Sequence, residues 1–132
     1  DVSDMPFSDN EFDVIGISFA FRNLTYHNQG TPQYLKEILR CLKPGGRFVI
    51  VETSQPSSAI LKSLLHFYYK YIVSALGGRL SGHKAAYHYL SYSARNFYSP
   101  AEVQGLLKEA GFSIVDHKAL SMDIAALYTA IK

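Results

Sequence analysis

Phe12-Asp13-Val14-Ile15-Gly16-Ile17-Ser18-Phe19-Ala20-Phe21-Arg22-Asn23 is the stretch whose reading decides the fold. Phe12, Val14, Ile15, Ile17 and Phe19 are apolar without strict alternation, the pattern of a strand covered on both faces of a parallel sheet. The end turns polar. Ser18, Arg22 and Asn23 fall where such a strand runs out, and open α/β sheets bind ligands beyond the carboxyl ends of their strands. The expectation is a buried strand delivering a hydroxyl, a guanidinium and an amide to a cleft.

Downstream, Thr31-Pro32 offers an N-cap and a first helical residue. Tyr34, Leu35, Ile38, Leu39 and Leu42 then recur at helical spacing. Lys43-Pro44-Gly45-Gly46 stops this helix, and Arg47 to Glu52 reads as a second buried strand. Strand, helix and strand in this order predict a right-handed parallel crossover. Glu52 would then end its strand beside the crevice that Ser18 reaches.

Ser58 to Leu76 reads as an apolar helix ended by Gly77-Gly78, with Tyr68, Tyr69 and Tyr71 in its core and rim. Arg79 to Tyr98 shows no regular period and reads as a tyrosine- and histidine-rich loop, an insertion or lid over a pocket. Ser99-Pro100-Ala101-Glu102 is a capping box that starts a helix ending at Gly111. Phe112 to Leu120 and Ile124 to Ile131 lie so close together that they predict an antiparallel hairpin. The fold class is therefore α/β, with parallel strands closed by a C-terminal antiparallel hairpin, and residues 1–132 form one domain.

At 132 residues and 48% hydrophobic content the chain is ample for one packed core. The formal charge of +2 argues against nucleic acid, which selects clustered basic residues. No close set of His, Cys, Asp and Glu falls at ligand spacing, so no metal is expected. His83 and His88 read as solvated, and the lone Cys41 sits in a helical rhythm as a small buried hydrophobe. One cysteine excludes an internal disulfide and favours a reducing, cytoplasmic setting. Asp1 to Asp4 do not read as a signal peptide, and Lys62, His66 and Lys70 interrupt the longest apolar run, so a membrane span is not expected.

Three blocks resemble one family: Pro6-Phe7-Ser8-Asp9-Asn10-Glu11-Phe12-Asp13, Ser18-Phe19-Ala20-Phe21-Arg22-Asn23 and Leu42-Lys43-Pro44-Gly45-Gly46-Arg47. With Tyr87-His88-Tyr89-Leu90, Ala110-Gly111-Phe112 and Ile124-Ala125-Ala126-Leu127, they resemble the C-terminal part of a class I S-adenosylmethionine-dependent methyltransferase. The likeness is narrowest to the C-methyltransferases of ubiquinone and menaquinone biosynthesis. Ala20 stands where that pattern has glycine, and Tyr26 and Tyr92 stand where it has acids.

The resemblance implies a Rossmann-like sheet, S-adenosylmethionine as cofactor and a small aromatic quinol as methyl acceptor. It implies that Asp1 and Ser18 bind the cofactor, that Arg22, Asn23 and Tyr87 are catalytic, and that Tyr89 covers the acceptor beside Glu52. A ring carbon must be aligned with a sulfonium methyl while the phenolate is favoured over the phenol, a task suited to the permanently charged Arg22. A salt bridge from Arg22 to Asp13 or Glu52 is the competing structural role. An apolar helix at Ser58 to Leu76 would suit a polyprenyl tail and a peripheral membrane contact.

No Gly-x-Gly-x-Gly turn follows any strand here, so the chain reads as a piece entered partway through its fold, with the glycine-rich N-terminal half absent. On that reading the isolated chain is inactive, and the strand at Phe12 becomes an open edge that invites a homodimer. The alternative function is a non-catalytic, truncated module acting in dimerisation or scaffolding.

Overall fold

A computed structural model describes all residues, 1–132. β1 (Phe12–Ser18) leads through α1 (Phe21–Thr25) and α2 (Thr31–Cys41) to β2 (Leu42–Thr53). A helical arm follows: α3 (Ala59–Phe67), a π-helical segment (Tyr68–Gly77), α4 (Gly78–Ser81) and α5 (Lys84–Arg95). The chain closes with α6 (Pro100–Glu109), β3 (Ile114–Leu120) and β4 (Ala125–Ile131). The sheet order is β1-β2-β4-β3. β1 and β2 are parallel, while β4 runs antiparallel to both β2 and β3.

The core lies on one face of this sheet. Phe48 and Ile50 of β2 and Tyr128 and Ala130 of β4 meet Phe21, Leu35, Ile38, Val103 and Leu107 from α1, α2 and α6. Val49 and Val51, on the other face, are only half-buried. Glu52 ends the inward row, so period-two alternation places a carboxylate at the rim of the core.

β1 departs from the both-faces-buried reading. It has no fully buried residue, and Val14 is 56% exposed. It is the edge of the sheet, so one strand flank and most of one face meet solvent. Its register with β2 slips between Phe12 and Val14, where Lys43 to Gly46 bulge out. Gly45 takes φ +76° there, and the bulge lets β2 begin at Leu42, ahead of the predicted Arg47.

Helix boundaries differ in three places. Gly30, not Thr31, caps α2; the Thr31 hydroxyl instead donates toward the carbonyls of Asn28, Leu24 and Thr25. Gly77-Gly78 do not end the helical run, which continues to Ser81 and stops at Gly82 with φ +75°. The segment read as an irregular loop from Arg79 is largely helix. Its inward positions on α5 are Ser91, Ser93 and Ala94, so no apolar period marked it. The capping box at Ser99 is present as expected, with Ser99 and Glu102 bonded in both directions.

Candidate active site

Ser18 ends β1 exposed, opposite Val51 of β2. Phe19 follows with φ +51°, a left-handed conformation uncommon for a bulky side chain, and its N–H donates to the Val51 carbonyl at 2.8 Å. That sharp bend swings the chain directly into α1. Arg22 therefore lies in the first turn of a short helix over the β2 terminus, not on the strand itself.

Arg22 and Glu52 are buried together, at 4% and 0% exposure. The Arg22 amide donates to Glu52 Oε2 at 3.0 Å and its Nη1 donates to Oε1 at 3.2 Å. Thr53 completes the set, its N–H and Oγ1 each donating to Oε1 at 2.8 and 2.9 Å. Thr53 Oγ1 also accepts from Arg22 Nη1 at 2.8 Å. The carboxylate is thus satisfied by Arg22 and Thr53 alone. The guanidinium is not: Nε is buried without a partner. Asp13, the other candidate for the ion pair, bonds Lys43 instead.

Around this pair lie two phenols. Burial pushes the Tyr69 hydroxyl above its ordinary pKa, with the Arg22 cation opposing the shift. Tyr128 is pushed up to about 12 by burial, reinforced by the Glu52 charge and partly offset by Ser54. Both phenols stay protonated at neutral pH. Tyr69 sits in the π-helical segment, whose carbonyl at Tyr69 accepts the Ser91 hydroxyl of α5 at 2.6 Å.

The remaining residues singled out by sequence are scattered. Asn23 is exposed beside Arg22 on α1. Tyr89 is 48% exposed and belongs to an aromatic group around Tyr26, whose own phenol is raised by burial and by Tyr92, Tyr98 and Tyr89. Tyr26 also stacks edge-on to Phe97 and Tyr98 at 6.5 and 5.9 Å. Tyr87 packs elsewhere. Its ring lies over Gly77, so close that a Cβ there would come within 2.1 Å of Cδ1. Tyr87 is therefore a helix-contact residue between α5 and the π-helical segment. Tyr69 and Tyr128 were not selected from sequence, since nothing in a tyrosine-rich chain marks which phenol turns inward.

Asp1 is exposed, and its Oδ1 accepts from both the N–H and the hydroxyl of Ser3 at 2.8 and 2.9 Å. Its other carboxylate oxygen is open to solvent. The loop carrying it is strapped to α2: Glu37 accepts from the Met5 N–H at 3.0 Å, and Arg40 Nη2 donates to the Phe7 carbonyl at 2.9 Å. Gln33 Nε2 holds the Ser3 carbonyl at 3.2 Å, near the start of α2. Asp1 and Ser18 each leave a polar group exposed to solvent. No grouping of three or more His, Cys, Asp or Glu could hold a metal ion. No helix is long and apolar enough to cross a membrane.

Comparison with solved structures returns the same sheet. A SAM-dependent methyltransferase of Thermotoga maritima is 17% identical, with a TM-score of 0.64 over 99% of this chain and 61% of that one. A SAM-dependent methyltransferase from Aquifex aeolicus is 18% identical, with a TM-score of 0.60 over 99% and 51%. These establish the fold. Among curated proteins, the ubiquinone/menaquinone biosynthesis C-methyltransferase UbiE of Geotalea daltonii is 40% identical across 98% of this chain and 53% of its own length. The mitochondrial 2-methoxy-6-polyprenyl-1,4-benzoquinol methylase of Bos taurus is 37% identical across 100% and 39%. The chain thus spans about half the length, or less, of the curated relatives it matches. The model of the ubiE/COQ5 methyltransferase family matches residues 1–132 throughout, and the chain belongs to that family.

Proposed function

We propose that this chain forms the acceptor-side part of an S-adenosylmethionine-dependent C-methyltransferase whose substrate is a quinol ring. The observation that carries the reading is Arg22: a guanidinium at 4% exposure, beyond the carboxyl ends of two parallel strands, with its Nε–H unfilled. Buried donors are normally paired, so an unfilled one beyond the strand ends suits an acceptor oxygen that arrives with substrate.

In this reading Arg22 holds the ring oxygen as phenolate, because its cation stabilises the anion over the phenol. Glu52 acts through Arg22, fixing its amide and Nη1, and is a positioning residue without contact to the acceptor. Asn23 offers its exposed amide to the same oxygen, and Tyr89 with its aromatic neighbours walls the ring. Asp1 and Ser18 hold the cofactor's amino groups. S-adenosylmethionine, when bound, supplies the electrophilic methyl group.

The relatives named above support the substrate class. The open edge of β1 favours the second reading, a dimerising module, and a homodimer through that edge is compatible with both. Methyl transfer to a demethylquinol, measured with this chain carried as the C-terminal part of a full-length methyltransferase and compared with its Arg22→Lys and Arg22→Ala variants, separates them. We expect kcat to fall by about two to three orders of magnitude in Arg22→Ala, the scale for losing one oxyanion donor. Unchanged turnover in a folded Arg22→Ala protein would remove Arg22 from the chemistry.

A further inference from the structure

Gln55, three residues beyond Glu52, gathers the helical arm over the end of β2. Its Nε2 donates to the Ala94 and Arg95 carbonyls of α5 at 3.0 and 3.1 Å, and its Oε1 bonds the His66 ring of α3 at 3.1 Å. Tyr69 follows His66 by three residues and so shares its side of the helix. The neighbouring rings of Phe67, Tyr68 and Tyr71 are exposed, whereas Tyr69 is half-buried. Its backbone is fixed from α5, where the buried Ser91 hydroxyl donates to the Tyr69 carbonyl at 2.6 Å. The helix is π-type at this point, a rare geometry that recurs at functional sites. The Tyr69 hydroxyl itself makes no hydrogen bond within the chain.

Two phenols stand near the Arg22–Glu52 pair, and strand register separates their roles. Glu52 faces Ala126 and Ile50 faces Tyr128, so Tyr128 stands one inward position deeper than the carboxylate, at 0% exposure. Of the two buried charges only that of Glu52 acts on it. Tyr128 thus lies behind the pair, inside the core. Tyr69 comes from the arm instead, and both Arg22 and Glu52 act on it.

We propose that Tyr69 is a further catalytic residue, donating its phenolic hydrogen bond to the acceptor oxygen that Arg22 holds. The proposal rests on the quinol reading of that site. The ring oxygen first loses its proton to water. The ring carbon then attacks the methyl group: a C–C bond forms, and the methyl–sulfur bond breaks with its electron pair going to sulfur. Water takes the proton left on that carbon, and the C–H pair restores the aromatic ring and the negative oxygen, which regains a proton from water. One proton is released overall. The oxygen is anionic before and after the transfer, so a cation and a neutral donor aimed at it hold both states. Burial keeps the Tyr69 phenol protonated, so it serves as a donor and adds no competing anion beside Arg22.

The pH dependence of methyl transfer to a demethylquinol tests this, with the chain carried as the C-terminal part of a full-length methyltransferase. In Tyr69→Phe, kcat should fall about 10- to 100-fold with KM little changed, the range for one hydrogen bond to a charged acceptor. The acid limb of the kcat profile should move up by about one pH unit, because the bound phenolate has lost a donor. A chlorinated quinol, whose hydroxyl is more acidic, should recover most of the loss. The melting temperature should stay the same, since phenylalanine keeps the ring. Unchanged kcat in Tyr69→Phe, or an equal loss with both quinols and an unmoved acid limb, would overturn the proposal. If Arg22→Ala is impaired in the same assay, the quinol reading survives that failure. Full activity in Arg22→Ala, or no transfer to the quinol by the unaltered protein, would remove the reading and the proposal with it.

Discussion

Arg22 holds Glu52 from two directions, its backbone N–H on one carboxylate oxygen and its Nη1 on the other, with both side chains almost fully out of solvent. Such a pair is costly to split, because either partner left alone is a buried uncompensated charge. Glu52→Ala should therefore destabilise the chain by about 3–5 kcal/mol, read as a lower urea midpoint. Adding Arg22→Ala to it should cost much less than the two single changes summed. Additive losses would show that the pair is not coupled.

The strap that holds the N-terminal loop is sensitive to acid. Glu37 is lowered from 4.5 to about 2, first by the Arg40 hydrogen bonds and then by the Met5 N–H. A depressed carboxyl contributes stability that is present above 4.5 and lost as pH falls toward about 2. Proteolysis within residues 1–9 should accelerate across that window. In Glu37→Gln the loop should be cleaved rapidly at neutral pH already, with a flatter acid dependence. A Glu37→Gln protein as resistant as the parent at pH 7 would show that other contacts hold the loop.

Gly77 and Tyr87 join the π-helical segment to α5. The ring occupies the space a side chain at 77 would need. Gly77→Ala forces the ring away and should cost about 1–3 kcal/mol by overpacking. Tyr87→Phe keeps the ring and should leave stability unchanged within about 0.5 kcal/mol. Thermal melts of the two variants check this, and a larger loss in Tyr87→Phe would point to a role for the hydroxyl instead.

Several of these relationships were legible in the sequence, and others were not, for physical reasons. The parallel pair, the capping box at Ser99 and the closing hairpin follow from local turn chemistry and period, so these elements and their order match the expectation, although β2 begins at Leu42 and not at Arg47. The Arg22–Glu52 contact was one of two pairings that the polar ends of adjacent strands allowed. Its location in α1 was hidden, because the turn that creates it depends on Phe19 adopting φ +51°. α5 was missed since its inward face is built from Ser91, Ser93 and Ala94, which carry no hydrophobic signal. The both-faces-buried reading of β1 took apolar composition for burial, whereas burial depends on what lies beside the strand.

That edge carries the last expectation. β1 pairs only with β2, so its outer flank presents backbone donors and acceptors to solvent, with Val14 exposed at its centre. A flat apolar edge with its one acid, Asp13, already bonded to Lys43 lacks the usual protection against strand pairing. Sedimentation velocity at micromolar concentration should show self-association. Val14→Lys places a charge on the open edge while touching no buried contact, and should return the chain to monomer with stability changed by no more than about 0.5 kcal/mol. A monodisperse monomer before the substitution would refute pairing through β1, and a dimer that persists after it would move the contact to another face.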